Sequence, residues 1–264
     1  MLNSSRASDL HKKYITCDEY LEAIITCLRS KEDRVGMEKE YLKVQTEIDD
    51  ESRARVIDWM VGVQMQLKFS DETFFQSIHL FDRFLSLKSI ELKYLPLLGL
   101  VTILIAGKCE EVCPPRLKKL LSLSEGSFTQ NEAIEMELNV MKCLDFDVMM
   151  PTVIQYLLKL CQTCLYSYNL ALYVCESQIL YSEMTHYSPS LIAVSGFYLA
   201  SKAVKAKIEI LDLPLKELNH TEQEVKECSD KMITNMISKD RLELSNIGRK
   251  YSRFRNVIVV AFNN

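Results

Sequence analysis

The sequence predicts an all-α fold: two tandem five-helix repeats preceded by a separate N-terminal helix. Three observations carry that prediction. The 264 residues hold only 7 Gly and 6 Pro, against roughly 18 and 13 from average usage, so the chain lacks the turn residues that many-stranded folds consume. Apolar residues recur at helical spacing in one stretch after another. Two of those stretches also align at an offset of about 94 residues, Ala106-Gly107-Lys108 falling on Ala200-Ser201-Lys202 and Leu97-Leu98 on Leu191-Ile192, and so long a period implies a duplicated domain rather than a solenoid.

The elements follow in order. Tyr20, Leu21, Ile24, Ile25 and Leu28 form a helical stripe behind Thr16 or Asp18 as cap, giving a helix that stands apart. Residues 30–50 are charged and irregular. From Glu51 to Phe69 the stripe is Val56, Trp59, Met60, Val63 and Leu67; Asp71 then caps a helix with Phe74, Ile78, Phe81 and Leu85 on its inner face. Leu92 to Lys108 is apolar nearly all round and belongs in the middle of a bundle, and Asn131 to Leu144 brings Ile134, Leu138 and Met141 to one face. After a break at Asp145 to Pro151, helices are expected over 152–165, 168–184, 189–204 and 221–238, with Ser188-Pro189 and Asn219 to Thr221 as start signals. The domains are therefore 1–50 (tail, helix and linker), 51–150 (first repeat) and 151–264 (second repeat with C-terminal tail).

Composition excludes several classes. With 48% apolar and 26% charged residues the chain builds real cores, and 32 basic against 36 acidic residues, a net charge of −4, gives none of the basic excess that phosphate contacts require. Nucleic acid is not the expected partner. The run Leu95 to Ala106 is too short for a bilayer span, and the polar N-terminus has no secretory apolar core, so neither a membrane nor secretion is expected. Nine cysteines, an odd number in apolar surroundings, read as reduced core residues of an intracellular protein, Cys161 and Cys164 included. Dispersed glycines form no phosphate-cradling loop, the four histidines lie far apart, and no metal, cofactor or catalytic residue is expected.

The informative residues are charges on apolar stripes. Asp82 lies along the stripe of Ile78 and Leu85, and Glu137 lies between Ile134 and Met141; Lys108 ends the most apolar helix, and Arg53 sits one turn before Val56. An ionised carboxylate in such a place needs a cation. Either both pairs are internal salt bridges that fix helix register, or one reaches the surface and hydrogen-bonds a partner's backbone.

At these residues the sequence resembles the cyclins, B-type mitotic cyclins above all. Ser52-Arg53-Ala54-Arg55-Val56-Ile57-Asp58-Trp59-Met60-Val61-Gly62-Val63-Gln64-Met65 looks like the opening of the cyclin box, and Phe81-Asp82-Arg83-Phe84-Leu85 like its second helix. Ala106-Gly107-Lys108-Cys109-Glu110-Glu111-Val112-Cys113-Pro114-Pro115 matches the family's A-S-K-x-E-E-x-x-P-P signature, followed by Met136-Glu137, Leu144-Asp145-Phe146 and Pro151-Thr152. The similarity runs from about residue 17 to 260, ending near Lys250-Tyr251-Ser252-Arg253-Phe254, and would make the two repeats cyclin boxes.

The resemblance implies a non-catalytic subunit that binds and activates a cyclin-dependent serine/threonine kinase in G2/M progression, acting in nucleus and cytoplasm. Carried over by residue, Lys108 and Glu137 would hydrogen-bond the kinase backbone, and Tyr20, Ile24, Ile105, Cys109, Leu138, Met141, Phe146 and Val148 would contact the kinase. Arg53–Asp82 would be the internal pair. Of the family's substrate-docking patch, Trp59, Val56 and Leu95 remain, whereas Ser52 and Arg55 replace a methionine and an isoleucine, Gly62 a glutamate and Pro96 a glutamine. Arg55 should repel the basic motif that the patch receives, so docking of substrate peptides is expected to be weak or altered. Unless the sequence is a piece of a longer chain, no tail with destruction signals is expected before the first helix, and the R-x-x-L form of Arg241-Leu242-Glu243-Leu244 is expected within or beside a helix, which leaves regulated proteolysis without an evident signal. A rival reading of the same resemblance is a transcription-associated cyclin-fold module that binds DNA and polymerase, against which the net charge and the Lys108/Glu137 pair argue; another is a scaffold that binds a kinase without activating it.

Overall fold

The computed structural model describes residues 20–32, 40–124, 126–160, 165–204, 218–237 and 245–262. The expected caps Thr16 and Asp18, the Cys161/Cys164 pair and Arg241–Leu244 lie outside them. Among the described residues every regular element is helical, and no peptide bond is cis. Helix α1 is Leu21–Glu32; α2 Asp50–Leu67, α3 Asp71–Leu87, α4 Leu95–Glu110, α5 Leu117–Leu121 and α6 Gln130–Cys143 form the first repeat. The second has α7 Val153–Leu160, α8 Leu165–Gln178, α9 Pro189–Ala203 and α10 Glu222–Ile237, followed by α11 Asn246–Lys250 and α12 Ser252–Phe262.

Each repeat is organised about its third helix. In the first, α4 packs against α2, α3, α5 and α6; in the second, α9 packs against α7, α8 and α10. The stretch Leu92–Glu110 is long and apolar enough, at mean hydropathy 1.6, to cross a membrane by length and composition, but 67% of it is buried by its neighbours. That stretch takes in Lys93 and Lys108, which bracket the uncharged run Leu95–Ala106, and it is burial that makes it a core axis. Gly107 lets the end of α4 approach the following loop, since a Cβ there would lie 2.6 Å from Pro115 Cδ.

Local chemistry sets the boundaries. Asp49 accepts from the Ser52 amide at 2.8 Å while Ser52 Oγ accepts from the Asp49 amide, a reciprocal cap that starts α2. The cap of α3 is Ser70, which accepts from the Thr73 amide; Asp71, expected as the cap, is its first helical residue. A serine one position earlier reaches that amide, and the acidic residues of the first turn favour the helix dipole instead. Ser188 caps α9 just before Pro189.

Helix α1 is separate from both repeats and docks on the second. Ile25 is buried, and Glu32, also buried, accepts from the Ser190 amide at 2.7 Å and from Ser190 Oγ at 2.8 Å, so that α1 is clasped to the start of α9. Arg29 adds a bond to Ser190 Oγ at 2.8 Å and approaches His220 Nε2 at 3.1 Å. Of the described cysteines, Cys175 and Cys228 are buried and Cys143 partly so, whereas Cys27, Cys109 and Cys113 are exposed, contrary to the expectation of a core role. All six are free thiols.

Polar ties cross the seam between repeats. Thr152 Oγ1 donates to Glu72 at 2.7 Å, and the Ser182 amide donates to Asp50 at 3.0 Å. Lys250, from α11, donates to the buried Glu176 carboxylate at 2.8 Å and to Gln64 of the first repeat at 3.0 Å, lying over the Phe74 and Tyr251 rings. Asn246 binds Asp58, its amide donating to the carboxylate at 2.7 Å.

Candidate functional site: an apolar groove with an ion pair at its rim

The two charge pairs occupy opposite environments. Arg53 and Asp82 are sealed inside, their side chains 0% and 2% exposed. Arg53 Nε donates to Asp82 Oδ1 at 2.7 Å and Nη2 to Oδ2 at 2.6 Å, the bidentate match of guanidinium to carboxylate. Two further groups complete the cluster: Tyr41 donates its hydroxyl to Asp82 at 2.6 Å, and Arg53 Nη1 donates to the Ile179 carbonyl of the second repeat at 2.8 Å. Burial alone would lower the Arg53 pKa, but the Asp82 carboxylate and its hydrogen bonds, together with Tyr41 and Asp50, outweigh it and raise the value; burial drives the Tyr41 phenol far above its ordinary range. This centre is closed to solvent.

Lys108 and Glu137 are paired at the surface, on α4 and α6, the lysine side chain 50% and the glutamate 22% exposed. Around them opens a groove of about 380 Å³ lined by Ile105, Lys108, Cys109, Ile134, Glu137, Leu138, Met141, Phe146 and Val148. Ile105 and Val148 form its buried floor, while Leu138 and Phe146 stand exposed, by 49% and 63%. Burial raises the Cys109 thiol, helped by neighbouring Glu110, so this side chain is neutral at physiological pH.

Helix α6 explains the groove, and here the sequence reading of its core face is corrected. Its inward residues are Ala133 and Val140, with Leu144 just beyond, all at most 1% exposed; Ile134 and Leu138, read as core with Met141, are exposed by 48% and 49%. The helix carries two apolar faces, and periodicity does not say which one meets α4. Ile134 is consequently a groove residue that the sequence reading assigned to packing.

Eight of the ten residues expected at a kinase contact line this groove, and Tyr20 and Ile24 do not. Both are exposed, Tyr20 just before α1 and Ile24 on it, and the packed side of that helix is held by the second repeat. Of the docking-patch residues, Val56 and Trp59 line a separate cleft with Lys93, Tyr94, Pro96 and Phe128, but Leu95 is 0% exposed and forms core instead of surface. Ser52 is buried in its capping role, and Arg55 is exposed. Among the described residues no cluster of His, Cys, Asp or Glu could hold a metal ion.

A double helical repeat that presents an apolar groove around a surface ion pair is a helical module with a face suited to another macromolecule. Comparison with known proteins gives the class its name. Residues 23–149 match the family model "Cyclin, N-terminal domain" and residues 143–261 match "Cyclin, C-terminal domain". Cyclin-A1 of Mus musculus is 34% identical over 205 residues, 76% of this chain and 49% of the relative. Cyclin-B2-1 of Oryza sativa subsp. japonica is 28% identical over 244 residues, 91% of this chain and 58% of the relative, so the chain spans about half the length of such relatives. Among solved structures, a viral cyclin from herpesvirus saimiri matches at TM-score 0.74 and 21% identity, over 83% of this chain and 99% of that one. A chain of the yeast RNA Pol II CTD kinase CTDK-1 complex matches at 0.60 and 14% identity, over 82% and 76%. The chain belongs to the cyclin family.

Proposed function

We propose that this chain is the non-catalytic regulatory subunit of a cyclin-dependent serine/threonine kinase, binding through the Lys108–Glu137 groove and acting in G2/M progression, in nucleus and cytoplasm. The observation that carries the reading is the groove itself: exposed Leu138 and Phe146 beside a solvent-reaching ion pair, on a face that the chain's own core does not use. Likeness to A- and B-type cyclins supports it.

The mechanism is one of differential binding. A protein kinase is active when the lysine of its third strand pairs with a glutamate on its mobile C-helix. A surface that binds only the inward position of that helix raises the active population by the difference in affinity between the two states. In this groove the apolar residues would supply contact area, while Lys108 and Glu137, already compensating each other, would donate to and accept from main-chain groups of the kinase. The Val56–Trp59 cleft, with Leu95 withdrawn and Arg55 added, would take substrate peptides weakly.

The test mixes the purified chain with inactive monomeric cyclin-dependent kinases and follows co-elution and phosphate transfer to a basic peptide. A large rise in rate is expected, strongly reduced by Lys108→Ala and by Glu137→Ala in variants whose circular dichroism is unchanged. Full activation by folded Glu137→Ala would contradict the assigned contact. No binding to any such kinase, with duplex DNA bound at physiological salt, would support the transcription-associated reading.

A further inference from the structure

Two consecutive residues with side chains, Asp145 and Phe146, sit in the left-handed region at φ 50° and φ 60°. A single such residue commonly ends a helix, usually a glycine; a bulky aromatic there is an outlier, and strain of this kind persists only where the surroundings over-determine it. The strained backbone does not serve to bury Phe146, which is 63% exposed. It places Phe146 in the wall of the groove beside Met141 and Val148.

The bonds that hold the turn come from two sources. Phe146 donates its amide to Met141 O and Asp147 to Leu144 O, both at 2.9 Å, which is ordinary helix termination. The others come from α3. Arg83 Nη1 donates to the Asp147 carbonyl at 2.6 Å, with Nη2 3.8 Å from the Asp147 carboxylate, and two turns earlier Gln76 Nε2 donates to the Val148 carbonyl. Arg83 thus grips the residue directly after the left-handed pair, from a helix that lines no part of the groove.

We propose that Arg83 is a positioning residue for the groove: by holding the Asp147 carbonyl it keeps the Asp145–Phe146 turn left-handed, so that Phe146 stands as a preset wall before the partner arrives. The saving is in the ordering of the interface, since a side chain fixed in its bound place loses little freedom on association. The proposal rests on the kinase reading of the groove, and its test separates the two.

Fluorophenylalanine is placed at position 146 of the full chain, and its fluorine resonance is compared in the parent, Arg83→Lys and Arg83→Met proteins. The expected result is a parent resonance displaced from its unfolded-chain position, kept by the lysine variant, which can still donate, and lost by the methionine variant. Kinase affinity is then measured in a cycle of Arg83→Met and Phe146→Ala. Each single change is expected to weaken binding about tenfold, a modest hot-spot effect, and the double variant to be no weaker than Phe146→Ala alone. A resonance unmoved in Arg83→Met, or losses that multiply in the double variant, would overturn the positioning role. Should Arg83→Met not fold, Arg83→Ala, which likewise cannot donate, carries the same comparison. Should the parent bind no kinase, the functional reading falls, and the fluorine comparison still decides whether Arg83 positions Phe146.

Discussion

Removing the Asp82 carboxylate should damage the fold more than removing any apolar side chain of similar size. In Asp82→Ala, Arg53 keeps its charge and its full burial but loses both carboxylate bonds, at 2.7 and 2.6 Å, retaining only the Ile179 carbonyl. Breaking a buried pair from one side costs about 3–5 kcal/mol, because an uncompensated charge stays behind. Tyr41 loses its acceptor too, at about 1 kcal/mol or more for an orphaned buried hydroxyl. A loss of about 5 kcal/mol takes between a third and all of the margin of a protein whose total stability is about 5–15 kcal/mol. The companion variant Tyr41→Phe/Arg53→Met/Asp82→Leu removes every partner at once, leaving only the Ile179 carbonyl to be satisfied, and should lose no more than about 2 kcal/mol. Urea unfolding followed by circular dichroism reads both, with the midpoint moving and the slope unchanged. Asp82→Ala losing under about 2 kcal/mol, or the triple variant falling as far as the single, would refute the reasoning that an uncompensated charge governs this site.

Burial raises the Glu72 pKa to about 7, with the charges of Glu110 and Asp71 adding to it and the Thr152 bond opposing. The folded state therefore holds a proton that the unfolded state releases from about pH 4.5 upward, so stability from this group is greatest below that pH and is lost as pH rises towards 7. Glu72→Gln should remove that slope and raise the urea midpoint at pH 8, by about 3 kcal/mol at most. Leu138→Ala should leave the thermal midpoint nearly unchanged yet weaken kinase binding, whereas Val140→Ala, in the core, should cost about 1–3 kcal/mol; calorimetry beside a binding titration separates the two faces of α6. Ser70→Ala should destabilise by about 1 kcal/mol in chemical denaturation, more than Asp71→Ala does. Lys250→Met, which leaves Glu176 buried without its cation, should lower stability by about 3 kcal/mol or more, read from the midpoint of thermal unfolding.

Much of the fold is legible in the sequence because helical period, caps and scarcity of glycine all agree. Asp82 and Arg53 are legible for a sharper reason, since an ionised side chain on an apolar stripe has few physical solutions. The rest needs three dimensions. Helices α5 and α11 have five residues each, too few to show a period, although Ser245 caps α11. Tyr41 lies in a charged linker with nothing local to mark it as a partner of Asp82, 41 residues on. On α6 the groove residues Glu137, Leu138 and Met141 are recognisable by family resemblance and Ile134 by neither resemblance nor pattern, because an apolar stripe awaiting a partner reads the same as one already packed. The left-handed pair at Asp145 and Phe146 carries no compositional signal at all, neither being glycine.

The ties made by Asn246 and Lys250 also bear on the order of synthesis. The groups they reach in the first repeat, Asp58 and Gln64, lie 188 and 186 residues earlier in the chain. A ribosome therefore releases the first repeat complete in its own helices long before these partners exist, and Glu176 emerges as a carboxylate still wet and uncompensated. A nascent chain stalled short of residue 246 therefore has the groove and the Thr152–Glu72 and Ser182–Asp50 ties across the seam, but not the ties that neutralise Glu176 and hold Asp58.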